Sequence, residues 1–271
     1  MLKQSAATLL LLLALADANM VLVNSNNWQD AYALSIYAQI KGLPLRYVQD
    51  TGHVPALLDE LAAQPPQTIE LFGRDDNPVP SLTYRLRQLD LDVRDTAYKD
   101  HYGLSAILAQ KLSPSEVVLA RDDFAFDALS ARALAVSRKA PILYSKGVRE
   151  LPQEVRDALA KLRPSKVYAM GRLGERVLAE LRQYGEVEAI NGRDEYDTNL
   201  LANSQALKAS PQGQAVITTG DILELTLLNA KENPFLIVPE IGTYSLVPVS
   251  NLVSESGINY LLAIGQGIVS P

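Results

Sequence analysis

The chain has 271 residues, 48% hydrophobic and 21% charged, which is enough apolar material for a sizeable core and excludes a disordered chain. Its net charge of −6 excludes the basic footprint of a general nucleic-acid binder. There is no cysteine, which excludes disulfides, thiolate chemistry and cysteine-based zinc sites, and two histidines, His53 and His101, leave little for imidazole catalysis or metal ligation.

The N-terminal stretch Met1–Ala18 has two readings. Lys3, an apolar run from Ala6 to Ala16 and small residues at Ala16 and Ala18 form the layout of a secretory signal peptide cleaved after Ala18. The run is too short to span a membrane. Alternatively, Ser5–Leu15 occupies the slot before the first strand that helices occupy before two later strands, and is then the opening helix of the first repeat.

From Met20 onward the chain reads as an array. Asp30 in NWQDAYALSIYAQIKGLP matches Asp127 in FAFDALSARALAVSRKAP, 97 positions later, and in each copy a proline follows by 14 residues, at Pro44 and Pro141. TIELFG ending at Gly73 matches KVYAMG ending at Gly171 and YLLAIG ending at Gly265, 98 and 94 positions apart. Asp100-His101-Tyr102 matches Asp194-Glu195-Tyr196 at a spacing of 94. Recurrence at one period marks repeated supersecondary units.

The middle copy predicts strands at Val117–Ala120, Ile142–Tyr144, Lys166–Met170 and Val187–Ile190. Helices are predicted at Phe126–Arg138, Gln153–Leu162, Glu175–Tyr184 and Thr198–Lys208. Short continuous apolar strands alternating with amphipathic helices are the pattern of a parallel sheet covered on both faces. Three tandem Rossmann-like units follow, each a small doubly wound parallel sheet, in a pseudo-threefold arrangement: an α/β fold. The expected divisions are 1–18 (signal peptide or opening helix), 19–110, 111–209 and a truncated third repeat at 210–271. In that third copy Ala215–Thr218 and Asn233–Val238 supply two strands, and the intervening helix is shortened; either Asp221 or Glu224 replaces Asp127.

Candidate chemistry is sparse. Gly265-Gln266-Gly267 follows a strand but reads as a plain turn, since no third glycine follows. Asp122 and Asp123 read as loop acids favoured near a helix N-terminus, with a carboxylate cluster as the alternative. His101, replaced by Glu195 in the next copy, reads as a surface residue. Asp30 and Asp127 are expected to cap their helices or bond nearby backbone. Tyr102 and Tyr196 are expected to be semi-buried with an anchored hydroxyl. Charge is uneven: residues 111–209 hold 16 Lys and Arg against 14 Asp and Glu, a net of +2, whereas 20–110 and 210–271 are each −4. An anionic ligand therefore finds its best footing on the middle third.

VVLARDDFAFDALSARALAVSRKAPILYS, then LRPSKVYAMGRLG, then INGRDEYDTNLLA resemble the cell-wall-binding repeat type 2 of bacterial and archaeal surface proteins. The resemblance covers the middle repeat fully, the first well and the third in part. It implies three non-catalytic, Rossmann-like subdomains, without cofactor or metal, that hold a surface protein noncovalently on an anionic cell-wall or envelope polysaccharide. The family's I-L-L strand stretch corresponds to Pro141, Ile142, Leu143 and Tyr144. The sequence departs from the family pattern where D-R-Y becomes D-H-Y and D-E-Y, and where Arg74 and Arg172 replace a second glycine.

Two functional classes stand. One is an extracellular cell-surface module that binds an anionic glycopolymer mainly through the middle repeat. Its candidate ligand-binding residues are Arg121, Asp122, Asp123, Arg138, Lys139, Ile142, Leu143, Lys146, Arg172 and Arg193. The other is a structural subunit that assembles with itself or with other proteins of a surface layer or filament. An enzyme using the crevice at the strand C-terminal ends is a third and weaker reading, since fold alone cannot support it.

Overall fold

The structure is a computed structural model and describes residues 19–219, 233–238 and 247–264. The expectations placed on Met1–Ala18, Asp221, Glu224, Gly265 and Gly267 lie outside these residues. Two compact units divide at Leu104 and Ser105, and each is described by itself.

The first unit runs β1 (Met20–Asn24), α1 (Trp28–Lys41), β2 (Leu45–Val48), α2 (His53–Ala63), β3 (Thr68–Arg74), α3 (Leu82–Arg87) and β4 (Asp92–Tyr98), and ends in the first turn of α4 (His101–Leu112). Its strands are all parallel, in the order β2-β1-β3-β4. Leu22, Val48, Ile69 and Leu71 from the sheet and Val54, Leu57, Leu61, Leu82 and Leu86 from α2 and α3 form one buried apolar cluster. The α1 helix is buried over most of its circumference from Asp30 to Ala38, as an all-round apolar sequence requires. It starts at Asn27, whose side chain accepts the backbone N–H groups of Gln29 and Asp30, and closes at Gly42, with a φ of 67°.

The second unit continues from α4 through β5 (Glu116–Arg121), α5 (Ala125–Ser137), β6 (Ile142–Ser145), α6 (Gln153–Leu162), β7 (Lys166–Met170), α7 (Glu175–Leu181), β8 (Glu186–Ile190) and α8 (Glu195–Ala209). It then holds β9 (Gln214–Thr219), β10 (Phe235–Val238), α9 (Val247–Glu255) and β11 (Tyr260–Ile264). One sheet repeats the first unit's order as β6-β5-β7-β8, and another runs β10-β9-β11; all pairs are parallel. Parallel sheets of four, four and three strands alternating with helices are the α/β fold the period predicts.

The recurring prolines have a mechanical role. The carbonyls of Pro44, Pro141 and Pro234 accept the N–H groups of Val21, Val118 and Val216, at 2.9, 3.0 and 2.8 Å. Each opens an edge strand, where a residue without an N–H costs no ladder bond. The third sheet's edge is protected differently. From α8, Asn199 Oδ1 accepts the Ile237 N–H at 3.0 Å, and Asn203 Nδ2 donates to the Phe235 carbonyl at 2.7 Å.

Asp30 and Asp127 are not helix caps. Asn27 caps α1, and Phe124, at the α5 cap position, makes no side-chain bond. Both carboxylates are instead buried, at 0% and 3% exposure. Asp30 Oδ2 accepts the Ser25 hydroxyl at 2.7 Å and the Tyr98 hydroxyl at 2.9 Å, with Arg74 Nη1 3.6 Å away. Burial pushes Asp30 above the usual carboxylate range, opposed by the bonds from Ser25 and Tyr98 and by Arg74. Burial, and then the same carboxylate, drives the Tyr98 phenol upward and keeps it a donor. Replacing Tyr98 by Phe removes one of two hydroxyl donors to a buried anion. The expected loss is about 1–3 kcal/mol of stability, read from urea unfolding.

Candidate functional site

In doubly wound sheets the crevice opens outside the strand C-terminal ends, where the strand order reverses. In the second unit that reversal lies between β5 and β7, and a cleft of ≈ 210 Å³ occurs there. It is lined by Arg121 and Phe124 after β5, Asp127 on α5, Gly171 and Arg172 after β7, Asn191 to Glu195 after β8, and Thr198 on α8.

Two glycines shape it. Gly171 has a φ of +70°, and a side chain there would come within 2.1 Å of Asp127 Oδ2, so only glycine lets the carboxylate lie against the end of β7. At Gly192 a side chain would meet the Thr198 backbone nitrogen at 2.5 Å. Its N–H instead donates to Thr198 Oγ1 at 2.9 Å, tucking the loop beneath the start of α8. Asp194 caps that helix by accepting the Asp197 N–H at 2.8 Å.

The charges are mixed. Arg121 Nε lies 3.0 Å from Asp123 Oδ1 and 3.8 Å from Asp127 Oδ2, with its guanidinium 5.0 Å from the centre of the Phe124 ring. Arg172 Nη2 donates to the Arg193 carbonyl at 3.2 Å. Arg193 Nε reaches Asp197 Oδ2 at 3.2 Å, and its guanidinium is largely solvated, at 85% exposure. The Arg193 N–H, and then its guanidinium, hold Asp197 below the ordinary carboxylate range. Asp127 goes the other way. Burial, against the pull of Arg121 and with the negative charges of Asp123 and Glu195, lifts it to about 6. Among the described residues its Oδ2 accepts no hydrogen bond.

Of the sequence candidates, Arg121, Arg172 and Arg193 meet in this cleft, and Asp123 holds Arg121 from its edge. Asp122 accepts the Gly147 N–H at 2.8 Å and serves the neighbouring loop. Lys146 follows β6 in a bridge with Glu150. Arg138 and Lys139 sit beyond the C-terminus of α5, whose N-terminus faces the cleft; a 13-residue helix separates the two ends by about 20 Å. Ile142 and Leu143 are 2% and 0% exposed. They fill the sheet, because a parallel strand covered on both faces has no solvent side. His101 is half-buried rather than on the surface, its ring 4.0 Å from that of Tyr102. Tyr196 is half-buried and meets Phe126 edge-on at 6.2 Å. Among the described residues no group of three or more acidic or histidine side chains could hold a metal, and no helix is long and apolar enough to cross a membrane.

With this geometry in place, comparison with known proteins finds one family match over part of the chain and several similar folds. The chain carries a match to the family Cell wall binding domain 2 (CWB2) over residues 98–177, from the end of β4 into α7. Similar solved structures include Cwp6 from Clostridium difficile, with a TM-score of 0.76 and 17% identity over 94% of this chain. Another is Cwp8 from Clostridium difficile, with a TM-score of 0.69 and 17% identity, also over 94% of this chain. At this identity the likeness is one of fold. The chain spans 42% and 46% of those two chains. No curated protein matches it.

The raised Asp127 sets a pH dependence. The folded state prefers the neutral carboxyl, so folding takes up a proton between the unfolded value of 3.8 and about 6, and stability falls as pH rises through that window. The shift corresponds to about 3 kcal/mol once pH exceeds 6. Asp127→Asn removes this term. Relative to wild type, the variant is expected to gain stability between pH 4 and pH 7 in urea unfolding; parallel pH profiles would contradict it.

Proposed function

We propose that the chain is a non-catalytic cell-surface module that holds an anionic cell-wall or envelope glycopolymer. Residues 98–177 carry the domain match that supports a cell-wall-associated module. The observation that carries the finer reading is the convergence on one cleft of Arg121, at the end of β5, and Arg172 and Arg193, in the loops after the neighbouring strands β7 and β8. Arg121 and Arg172 fall within the matched stretch, and all three fall in the third of the chain with net positive charge. Guanidinium groups suit phosphate and carboxylate alike, through paired N–H donors of fixed geometry. A surface module of this kind acts outside the cell, which agrees with the signal-peptide reading of Met1–Ala18.

A second reading has one observation in its favour. Among the described residues β11 is the edge of the third sheet, and Tyr260, Leu261 and Leu262 are 69%, 47% and 53% exposed along it. An apolar strand edge suits a self-associating subunit of a surface layer. Mass that rises with concentration in sedimentation, without added polymer, would favour it.

Retention on purified bacterial envelope at increasing salt tests the binding reading. Arg121 already compensates Asp127, so the informative change is Arg172→Ser with Arg193→Ser. This double variant is expected to weaken retention by about tenfold and to flatten its salt dependence. Unchanged retention and slope would remove the cleft from the binding function.

A further inference from the structure

The first unit contains, within itself, a picture of what the second unit's cleft is shaped to receive. Arg74 pairs with Tyr98 in the β3–β4 register, and Met170 pairs with Ile190 in the β7–β8 register. Since Gly73 corresponds to Gly171 and Asp100 to Asp194, the position of Tyr98 is taken by Gly192. In the first unit a six-membered ring bearing a hydroxyl lies at the end of the last strand and donates to the buried carboxylate Asp30 at 2.9 Å. In the second unit the ring is absent, the second hydroxyl donor is absent too because Asp122 stands where Ser25 does, and the cleft occupies that place. Asp127 Oδ2, with its side chain 4% exposed, lines the cleft and accepts no hydrogen bond from any described residue.

We propose that this cleft binds a single sugar ring of an anionic glycan, with Asp127 Oδ2 accepting a ring hydroxyl as Asp30 accepts the Tyr98 hydroxyl, and with Arg172 and Arg193 holding the phosphate or carboxylate carried by the ring. The proposal rests on the glycopolymer-binding reading and deepens it by naming the group recognised and the residue that recognises it. The lining charges favour a hydroxylated anion over a bare one. Three guanidinium groups, of Arg121, Arg172 and Arg193, are matched by three carboxylates, of Asp127, Asp194 and Glu195, so charge alone gives an inorganic anion little to gain. A hydroxyl donor, by contrast, satisfies a buried acceptor whose unmade bond is costly. In the first unit the corresponding oxygen, Asp30 Oδ2, already accepts the hydroxyls of Tyr98 and Ser25.

Isothermal titration of the full chain with glucose 1-phosphate, glucuronate, glucose and inorganic phosphate tests this. At least one of the two sugar anions is expected to bind about tenfold or more tighter than both glucose and inorganic phosphate, and which one binds identifies the anion of the natural polymer. Asp127→Asn is expected to lose that preference while keeping its weak affinity for inorganic phosphate. Sugar anions that bind no better than phosphate in the wild-type protein would overturn the proposal without any variant, as would a preference that survives in Asp127→Asn. Envelope retention separates the two levels. If retention depends on Arg172 and Arg193 but no sugar anion is preferred, the polymer-binding reading stands and the Asp127 subsite falls. If a sugar anion binds but envelope is not retained, the subsite stands and the wall-binding role falls.

Discussion

A carboxylate buried at the start of the first helix, beneath the C-terminal ends of a parallel sheet, is the constraint on which the first two sheets depend. Such a group is costly unless paired or hydrogen-bonded, and the two copies compensate it by different means. Asp30 receives hydroxyls from Ser25 and Tyr98 and the distant charge of Arg74. Asp127 receives only the 3.8 Å approach of Arg121, which Asp123 shares. The cation has moved from the end of the third strand to the end of the first. Where Arg121 stands, the first copy has Asn24, whose side chain is committed to Asn77 and to the carbonyl of Val79.

The frame tolerates this exchange because it does not depend on the loop chemistry. Central strands β1, β5 and β9 each take their register from an edge strand opened by proline, and the flanking ladders are all parallel. Small residues on α5 and α8, among them Ala128, Ala131, Ala135, Ala202 and Ala206, are buried where the two helices pack. Close helix approach of this kind is set by side-chain size. Loops at the strand C-terminal ends are then free to diverge, which is where functional residues of scaffolded folds concentrate.

Much of this frame was legible in the sequence. The middle copy's helix at Gln153–Leu162 and strand at Lys166–Met170 have the predicted bounds, and the other elements differ by one to three residues at an end. Short apolar runs, prolines and recurring glycines carry that information because they report backbone geometry. The roles of Asp30 and Asp127 were not legible. A polar residue opening an apolar helix reads as a cap, and only the fold shows that Asn27 takes the cap while the aspartate turns inward. Ile142 and Leu143 entered the candidate list through family resemblance, yet they are interior, because periodicity cannot separate a buried strand from a binding surface. Tyr98 was missed although a signal existed: the spacing of 94 that aligns Asp100 with Asp194 also aligns Tyr98 with Gly192.

The difference between those two positions explains how a triplicated frame can hold a site in one copy without holding it in all. In the first copy, hydroxyls delivered by the chain itself occupy one oxygen of the buried carboxylate, Asp30 Oδ2. Removing that ring, and admitting glycine where a side chain would collide with Thr198, leaves the second carboxylate short of a donor. The energetic cost falls on the folded state, as the upward displacement of Asp127 to about 6 shows. A ligand that supplies the missing hydroxyl recovers part of that cost on binding, so the same physical term that weakens the fold strengthens recognition. Selectivity then follows from the acceptor as well as from the guanidinium groups, since a bare anion brings nothing that Asp127 can accept.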